Sequence, residues 1–407
     1  MTSTPQQQAK GLPLSLVVAA LAMLAPFTID TYLPSFPDIA AELSASHVQM
    51  QQTLSLYLLA FAVSTLIYGP LSDSFGRRRV IMVALTLYTL ASIGCAMAED
   101  IHQLILLRIG QGLSASAGLV AGRAMIRDVY HGPEAQRVMA RVMLLFGIAP
   151  AVAPLIGGWL HDQFGWRSVF VFLALVAAAL VLMIGVATRE TLARERRHSI
   201  HPVAVGRAYA RAFRSGKFMA LVFCFALMFS GFFLYVAGAP TVIYDFLGLG
   251  VNDFWVLFVP SVVAIMAGSQ LSGRLAGRLS PKRTVSIGFG LMLAAALINV
   301  VQGMLMMPAT FNVVAPLALY VLGMALTMPN LNLMALDCFP HNRGMASAMQ
   351  SFVQMTFTSL VVGAVVPLVA VSVTMLALTM LGLNLAGFLL WQWLKHQHGG
   401  CERTDSA

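Results

Sequence analysis

Twelve runs of apolar residues dictate what this chain can fold into, because about 20 such residues are what a helix needs to cross a bilayer's hydrocarbon core. They fall near 13–36, 48–70, 79–98, 101–127, 138–160, 166–187, 217–243, 253–275, 284–305, 309–332, 344–367 and 370–394. The chain is 58% hydrophobic and 10% charged, where a soluble domain carries roughly 25% charged residues. In lipid every backbone N–H and C=O must be satisfied internally, so each run reads as a helix. The expected fold is an all-α membrane protein of twelve transmembrane helices.

The joints sort these runs. Between the second and third lies Gly69-Pro70-Leu71-Ser72-Asp73-Ser74-Phe75-Gly76-Arg77-Arg78-Arg79, too short and too charged to be anything but a tight turn at the membrane surface. A weaker copy, Gly273-Arg274-Leu275-Ala276-Gly277-Arg278-Leu279-Ser280-Pro281-Lys282-Arg283, follows 204 positions later, half of the 407-residue chain. The echo has Gly277 where the first copy has Asp73. A duplicated chain of two six-helix bundles follows, with bundles at 1–187 and 217–407 and a basic linker at 188–216. That linker holds Arg189, Arg194, Arg196, Arg197, Arg207, Arg211 and Arg214 with His198 and His201, and its pattern after Pro202 reads as a helix lying on the inner surface.

Basic residues collect on one set of loops: Arg77–Arg79, Arg127, Arg137, Arg141, the linker arginines, Arg274, Arg278, Lys282, Arg283 and Arg343. The opposite loops hold Arg167 and otherwise the acids Asp38, Glu42, Glu99, Asp100, Asp162, Asp245 and Asp253. The positive-inside rule then places both termini in the cytoplasm. It also accounts for the net charge of +9 without a nucleic-acid partner. The first run is too long for a signal-peptide core and is read as a retained span. The four cysteines, Cys95, Cys224, Cys338 and Cys401, have no spacing that suggests a disulfide framework or a zinc site. No G-x-x-x-x-G-K-[ST] loop provides for ATP, and no H-E-x-x-H or G-x-S-x-G motif supports an embedded enzyme. No cofactor or metal is expected. Duplication with twelve spans points instead to a secondary transporter.

The Gly69–Arg79 turn resembles the loop between the second and third helices of the major facilitator superfamily. Further motifs follow in that family's order. Arg108-Ile109-Gly110-Gln111-Gly112 resembles its R-x-x-Q-G motif, and Ala149-Pro150 to Pro154-Leu155-Ile156-Gly157-Gly158 resembles its antiporter motif, with Ala149 and Ala153 in place of two glycines. Asp30-Thr31-Tyr32-Leu33-Pro34, Arg123 to Asp128, Pro329-Asn330 and Gly344 to Ala348 resemble the Bcr/CflA group of bacterial inner-membrane, proton-coupled drug exporters. The resemblance covers about residues 13–394. It implies a proton-driven antiporter for drug-like molecules and links Arg108 to proton coupling.

The residues themselves single out Asp30, an acid inside an apolar span, which costs about 2.5–3.5 kcal/mol on the insertion scale. A desolvated carboxyl can bind and release protons; the alternative is an interface acid near the span's outer end. Arg108 lies at a comparable depth, so an Asp30–Arg108 pair across facing helices is geometrically open, as is a plain packing role for Arg108. Arg123 either joins this machinery or snorkels to the interface. Asp73, Arg77, Arg78, Arg127 and Asp128, framed by Gly69 and Gly76, read as an inner-gate charge cluster. Asp73 is aimed at the N-terminus of the eleventh helix near Gly344; simple positive-inside anchoring also explains the arginines. Pro150, Pro154, Gly157 and Gly158 suit a hinge or a close helix contact. A drug cavity needs adaptable apolar walls with few polar handles, for which Tyr32, Tyr57, Phe61, Phe146, Phe233, Gln350 and Gln354 are candidates. Gln350 and Gln354 stand one helical turn apart.

The expected function is therefore proton-coupled export of small, mostly apolar molecules by a monomer in the inner membrane. Its partners are protons, the small-molecule drug substrate and the lipid bilayer. A metabolite or nutrient transporter on the same fold is the rival, and a transporter-like sensor a more distant one, for which the chain lacks a signalling domain.

Overall fold

The computed structural model of the chain describes residues 14–193, 195, 197, 202–305 and 309–399. Residues 1–13, Arg194, Arg196, His198, His201 and Cys401 therefore lie outside the described residues. Twelve helices are long and apolar enough to cross a membrane, matching the twelve runs.

The first span is α1 (Leu14–Asp30), a 3₁₀ turn at Leu33–Ser35 and α2 (Phe36–Glu42). It runs past the expected end at 36 because Pro34 and Pro37 sit in the first turns of the 3₁₀ turn and of α2, where a missing N–H costs nothing. Asp30 is thereby left at the break itself. α3 (His47–Phe75) starts in a capping box, Ser46 with Gln49, and ends at Gly76, whose φ of 97° favours glycine. There follow α4 (Arg77–Ala96), α5 (Ile101–Val129), α6 (Gly132–Phe164) and α7 (Arg167–Ala187). The Asp100 carboxylate starts α5 by accepting from the His102 and Gln103 amides at 2.8 and 2.9 Å.

The linker contains the expected helix, α8 (Pro202–Arg214). The later spans are α9 (Gly216–Ala237), α10 (Trp255–Leu275), α11 (Pro281–Leu305), α12 (Thr310–Leu336), α13 (Arg343–Leu360) and α15 (Val373–Gly399). Between α13 and the short α14 (Val366–Val369) the eleventh span widens into a π-helical stretch, Val361–Val365, a feature no hydropathy pattern announces.

The two halves pack alike. α3, α4 and α5 form one tight set and α10, α11 and α12 the corresponding set; α4 on α7 matches α11 on α15, and α1 on α6 matches α9 on α13. Between halves, α3 meets α13 and α6 meets α10, again as counterparts. This is the pseudo-symmetry expected of a duplicated chain.

The halves join at one face. Gln51 Nε2 donates to the Ala237 carbonyl at 3.0 Å, Ser359 Oγ to the Ser55 carbonyl at 2.6 Å and the Tyr244 hydroxyl to the Pro34 carbonyl at 2.7 Å. All three lie toward the face that carries the acidic loops.

Candidate functional site

Arg108 comes from the second to third turn of α5 and has no exposed surface. An ionised group so placed demands compensation, and the neighbouring helices supply it in an unexpected form. One guanidinium nitrogen donates to the Thr28 carbonyl at 3.2 Å and to Gln111 Oε1 at 2.9 Å. Gln111 in turn donates to Ser92 Oγ at 2.7 Å, so α4 helps to orient it. Cζ stands 4.6 Å from the centre of the Tyr32 ring and 4.5 Å from that of Tyr57. Nε and the second terminal nitrogen find no hydrogen-bond partner.

Asp30 is buried, 4% exposed, on the same bundle. The direct Asp30–Arg108 ion pair that their depths allow is not formed; among the described residues neither carboxylate nor guanidinium has an ionic partner. The guanidinium instead bonds the Thr28 carbonyl and Gln111 and lies over the two tyrosine rings. Tyr32 and Tyr57, expected on a cavity wall, are fully buried around Arg108 instead. Phe61 lies beside Tyr57 with ring centres 6.3 Å apart.

At the basic face the turn after α3 is a built structure. The Arg77 side chain is buried, ion-paired to Asp73 and, through Nε, to Asp128 Oδ2 at 3.2 Å; its NH1 donates to Ser72 Oγ at 2.7 Å. Arg78 caps the last turn of α7 by donating to the Ile184 and Gly185 carbonyls at 3.3 and 2.7 Å. Arg79 and Arg127 are exposed. The three adjacent arginines, alike in the sequence, thus have three different settings. Asp73 is not bonded to the N-terminus of α13: its side chain is 52% exposed and ion-paired to Arg77 across the turn into α4. Arg123 is half-buried with Nε lacking a partner.

Three linker residues that the sequence reading passed over fasten this region. Glu190 Oε1 accepts from the Arg77 backbone amide at 2.9 Å, so an acid caps the N-terminus of α4. A side chain at Gly76 would strike that same carboxylate. Thr191 donates to Asp128 Oδ2 at 3.1 Å. Tyr209, on α8, donates to the Leu66 carbonyl at 3.0 Å. Pro70 explains that bond: it has no N–H for the carbonyl four residues earlier, so Leu66 is left open for the linker.

α6 runs unbroken through Pro150 and Pro154, with Ala149 and Ala153 fully buried. Gly157 lies against the Thr31 backbone, beside the break that carries Asp30, and Gly158 against the Val251 carbonyl of the other half. Of the remaining cavity candidates, Phe146 is half-buried against a small cluster of α1, α5 and α6, and Phe233 is buried and stacked on Phe229 at 5.6 Å. Gln350 and Gln354 are both buried in α13, with Gln350 Oε1 unpartnered. The structure does not bring these four together with Asp30.

Two six-helix bundles packed as counterparts around buried unpaired charge define a multi-pass membrane transporter rather than an enzyme. The family model for the Major Facilitator Superfamily matches residues 18–362, and the chain belongs to that superfamily. It is 32% identical to an uncharacterized MFS-type transporter, YdgK, of Bacillus subtilis, over 86% of this chain and 87% of the relative. It is 30% identical to a bicyclomycin resistance protein homolog of Haemophilus influenzae, over 70% and 72%. The resemblance to the Bcr/CflA group read from the motifs accords with these relatives. A bacterial homologue of the human lysosomal transporter Spinster, solved inward-facing and unoccupied, shares the fold: TM-score 0.70 at 14% identity, covering 94% of this chain and 96% of that one.

Proposed function

We propose that this protein is a proton-coupled antiporter that exports small, mostly apolar drug-like molecules across the bacterial inner membrane. The observation that carries the reading is Asp30: a carboxyl buried in a membrane span and free of any ion pair. Such a group is costly unless it works by taking up and releasing a proton. Arg108, held nearby as a cation, biases that exchange. The basic face is cytoplasmic, and the Gly69–Arg79 turn gates that side. Antibiotic export is supported by the name of the bicyclomycin resistance relative. The chain acts as a monomer of two bundles, 1–187 and 217–407, about the 188–216 linker, with both termini in the cytoplasm.

The test is Asp30→Asn in everted vesicles. Insertion and abundance stay normal, and export driven by a pH gradient falls to background. Export retained at the unsubstituted rate sinks the assignment. A drug-susceptibility panel in a pump-deficient strain supplies the probe compounds; resistance to none of them favours a metabolite transporter.

A further inference from the structure

We propose that Tyr32 and Tyr57 form an aromatic clamp that holds Arg108 as a buried cation without a carboxylate partner, and that they are positioning residues for proton exchange at Asp30. The second half of this statement rests on the proton-coupled reading above.

The clamp answers a specific problem. Arg108 is wholly buried, its two hydrogen-bonded acceptors are neutral, and two of its nitrogens have no acceptor. A desolvated guanidinium in that position must either pair with an acid or find another source of negative potential. The faces of aromatic rings are such a source, and their attraction for a cation is strongest where water is excluded. Two rings at 4.5 and 4.6 Å, one from the first span and one from α3, provide it.

The rings are themselves held. The Tyr32 hydroxyl bonds to Thr53 Oγ1, which donates to the Met50 carbonyl at 2.6 Å. The Tyr32 ring is braced by Phe36 and Phe170 at 4.7 and 5.5 Å between centres. Tyr57 is backed by Phe61. The Thr28 segment whose carbonyl binds Arg108 is tied to α4 by its hydroxyl contact with Tyr88 at 2.6 Å. This is a braced cation seat drawn from the first span and from α3, α4 and α5. The titratable groups acting on it are Tyr32 and Asp30 of the first span, Tyr57 of α3, Tyr88 and Cys95 of α4, and Arg108 itself.

The consequence lies in what the clamp prevents. A guanidinium seated between two rings cannot swing to Asp30 and close an ion pair, which would hold the acid ionised. Asp30, which acts electrostatically on Tyr57 of the clamp, remains free to take a proton.

The experiment uses the full-length protein purified in detergent, with tyrosine replaced at position 57 in two ways of nearly equal shape. Tyr57→Phe keeps the negative ring face; Tyr57→pentafluorophenylalanine inverts it. The first readout is modification of Asp30 by dicyclohexylcarbodiimide, which attacks protonated buried carboxyls, followed against pH with Asp30→Asn as the blank. Tyr57→Phe leaves the labelling midpoint where it was. The fluorinated ring releases Arg108 toward Asp30 and moves the midpoint at least one pH unit toward acid, a tenfold loss of proton affinity. The second readout is the melting midpoint in a cycle with Arg108→Met. The fluorinated ring lowers it relative to Tyr57→Phe while Arg108 is present and has no effect once Arg108 is replaced. Equal labelling midpoints for the two rings overturn the positioning role. An equal melting penalty with and without Arg108 overturns the clamp. If Asp30 labelling in the unsubstituted protein does not vary with pH, the proton-coupled reading falls, and the positioning role with it, while the melting cycle still decides the clamp.

Discussion

Removing the Tyr209 hydroxyl tests how the linker is fastened to the gate. In α3, Pro70 cannot donate to the Leu66 carbonyl, and Tyr209 takes its place at 3.0 Å. Tyr209→Phe keeps the ring and deletes the donor. A neutral hydrogen bond is worth about 1 kcal/mol net, and half-burial of Tyr209 argues against the higher penalties of fully buried sites. One kcal/mol is about a fivefold change in an equilibrium. Opening of α8 from the bundle should therefore rise about fivefold. Hydrogen exchange of the 202–214 amides reads this directly, since exchange follows the local opening equilibrium. The control is Pro70→Ala, which restores an N–H to α3 and supplies Leu66 from within the helix. In that background Tyr209→Phe should add nothing. Unchanged exchange in Tyr209→Phe, or the same increment with and without Pro70, would refute the reasoning. The contact also has a pH signature. Burial, with Asp73 nearby, pushes the Tyr209 hydroxyl up from its ordinary 10.0 to about 12. A raised value means the bound state favours the protonated hydroxyl. The stabilisation is thus complete below pH 10 and lost as pH rises to about 12, leaving the tether intact across the physiological range.

Two further outcomes follow from the same turn and from α6. Glu190→Ala should free the α4 N-terminus and cost about 1 kcal/mol, seen as faster exchange at the Arg77 amide, while Glu190→Gln keeps part of the cap. Gly157→Ala places a methyl into the Thr31 backbone, where overpacking costs about 1–3 kcal/mol; a lower melting midpoint checks it, and an unchanged one would show that the two helices can separate freely there.

Alternating access makes sense of these fastenings. The bundles are held at the acidic face by a few neutral hydrogen bonds, Gln51 to Ala237, Ser359 to Ser55 and Tyr244 to Pro34. Neutral bonds of this size are individually modest, so no single one locks the state. At the basic face Arg77 and Arg78 of the turn after α3 find their partners within the first half and its linker, and Asp73 is half exposed.

The sequence by itself determined the number of spans, the duplication, the charged turn after α3 and the identity of the two odd charges, Asp30 and Arg108. Those features are written locally: hydropathy over twenty residues, Pro and Gly as punctuation, and a charge where lipid forbids one. What the tertiary structure decided is who stands next to whom. Arg108 takes its acceptor from Thr28, 80 residues away, and its aromatic faces from the first span and α3 rather than pairing with Asp30. Arg77, Arg78 and Arg79, three identical letters, become a buried network, a helix cap and an exposed charge. Glu190 and Tyr209 looked like ordinary linker residues until the fold set them against the Arg77 amide and the carbonyl left open by Pro70. The physical reason is that membrane spans are apolar nearly all round. Their pattern states depth along the helix, but the rotation of each helix, and hence which side chains meet, is set only when the helices pack.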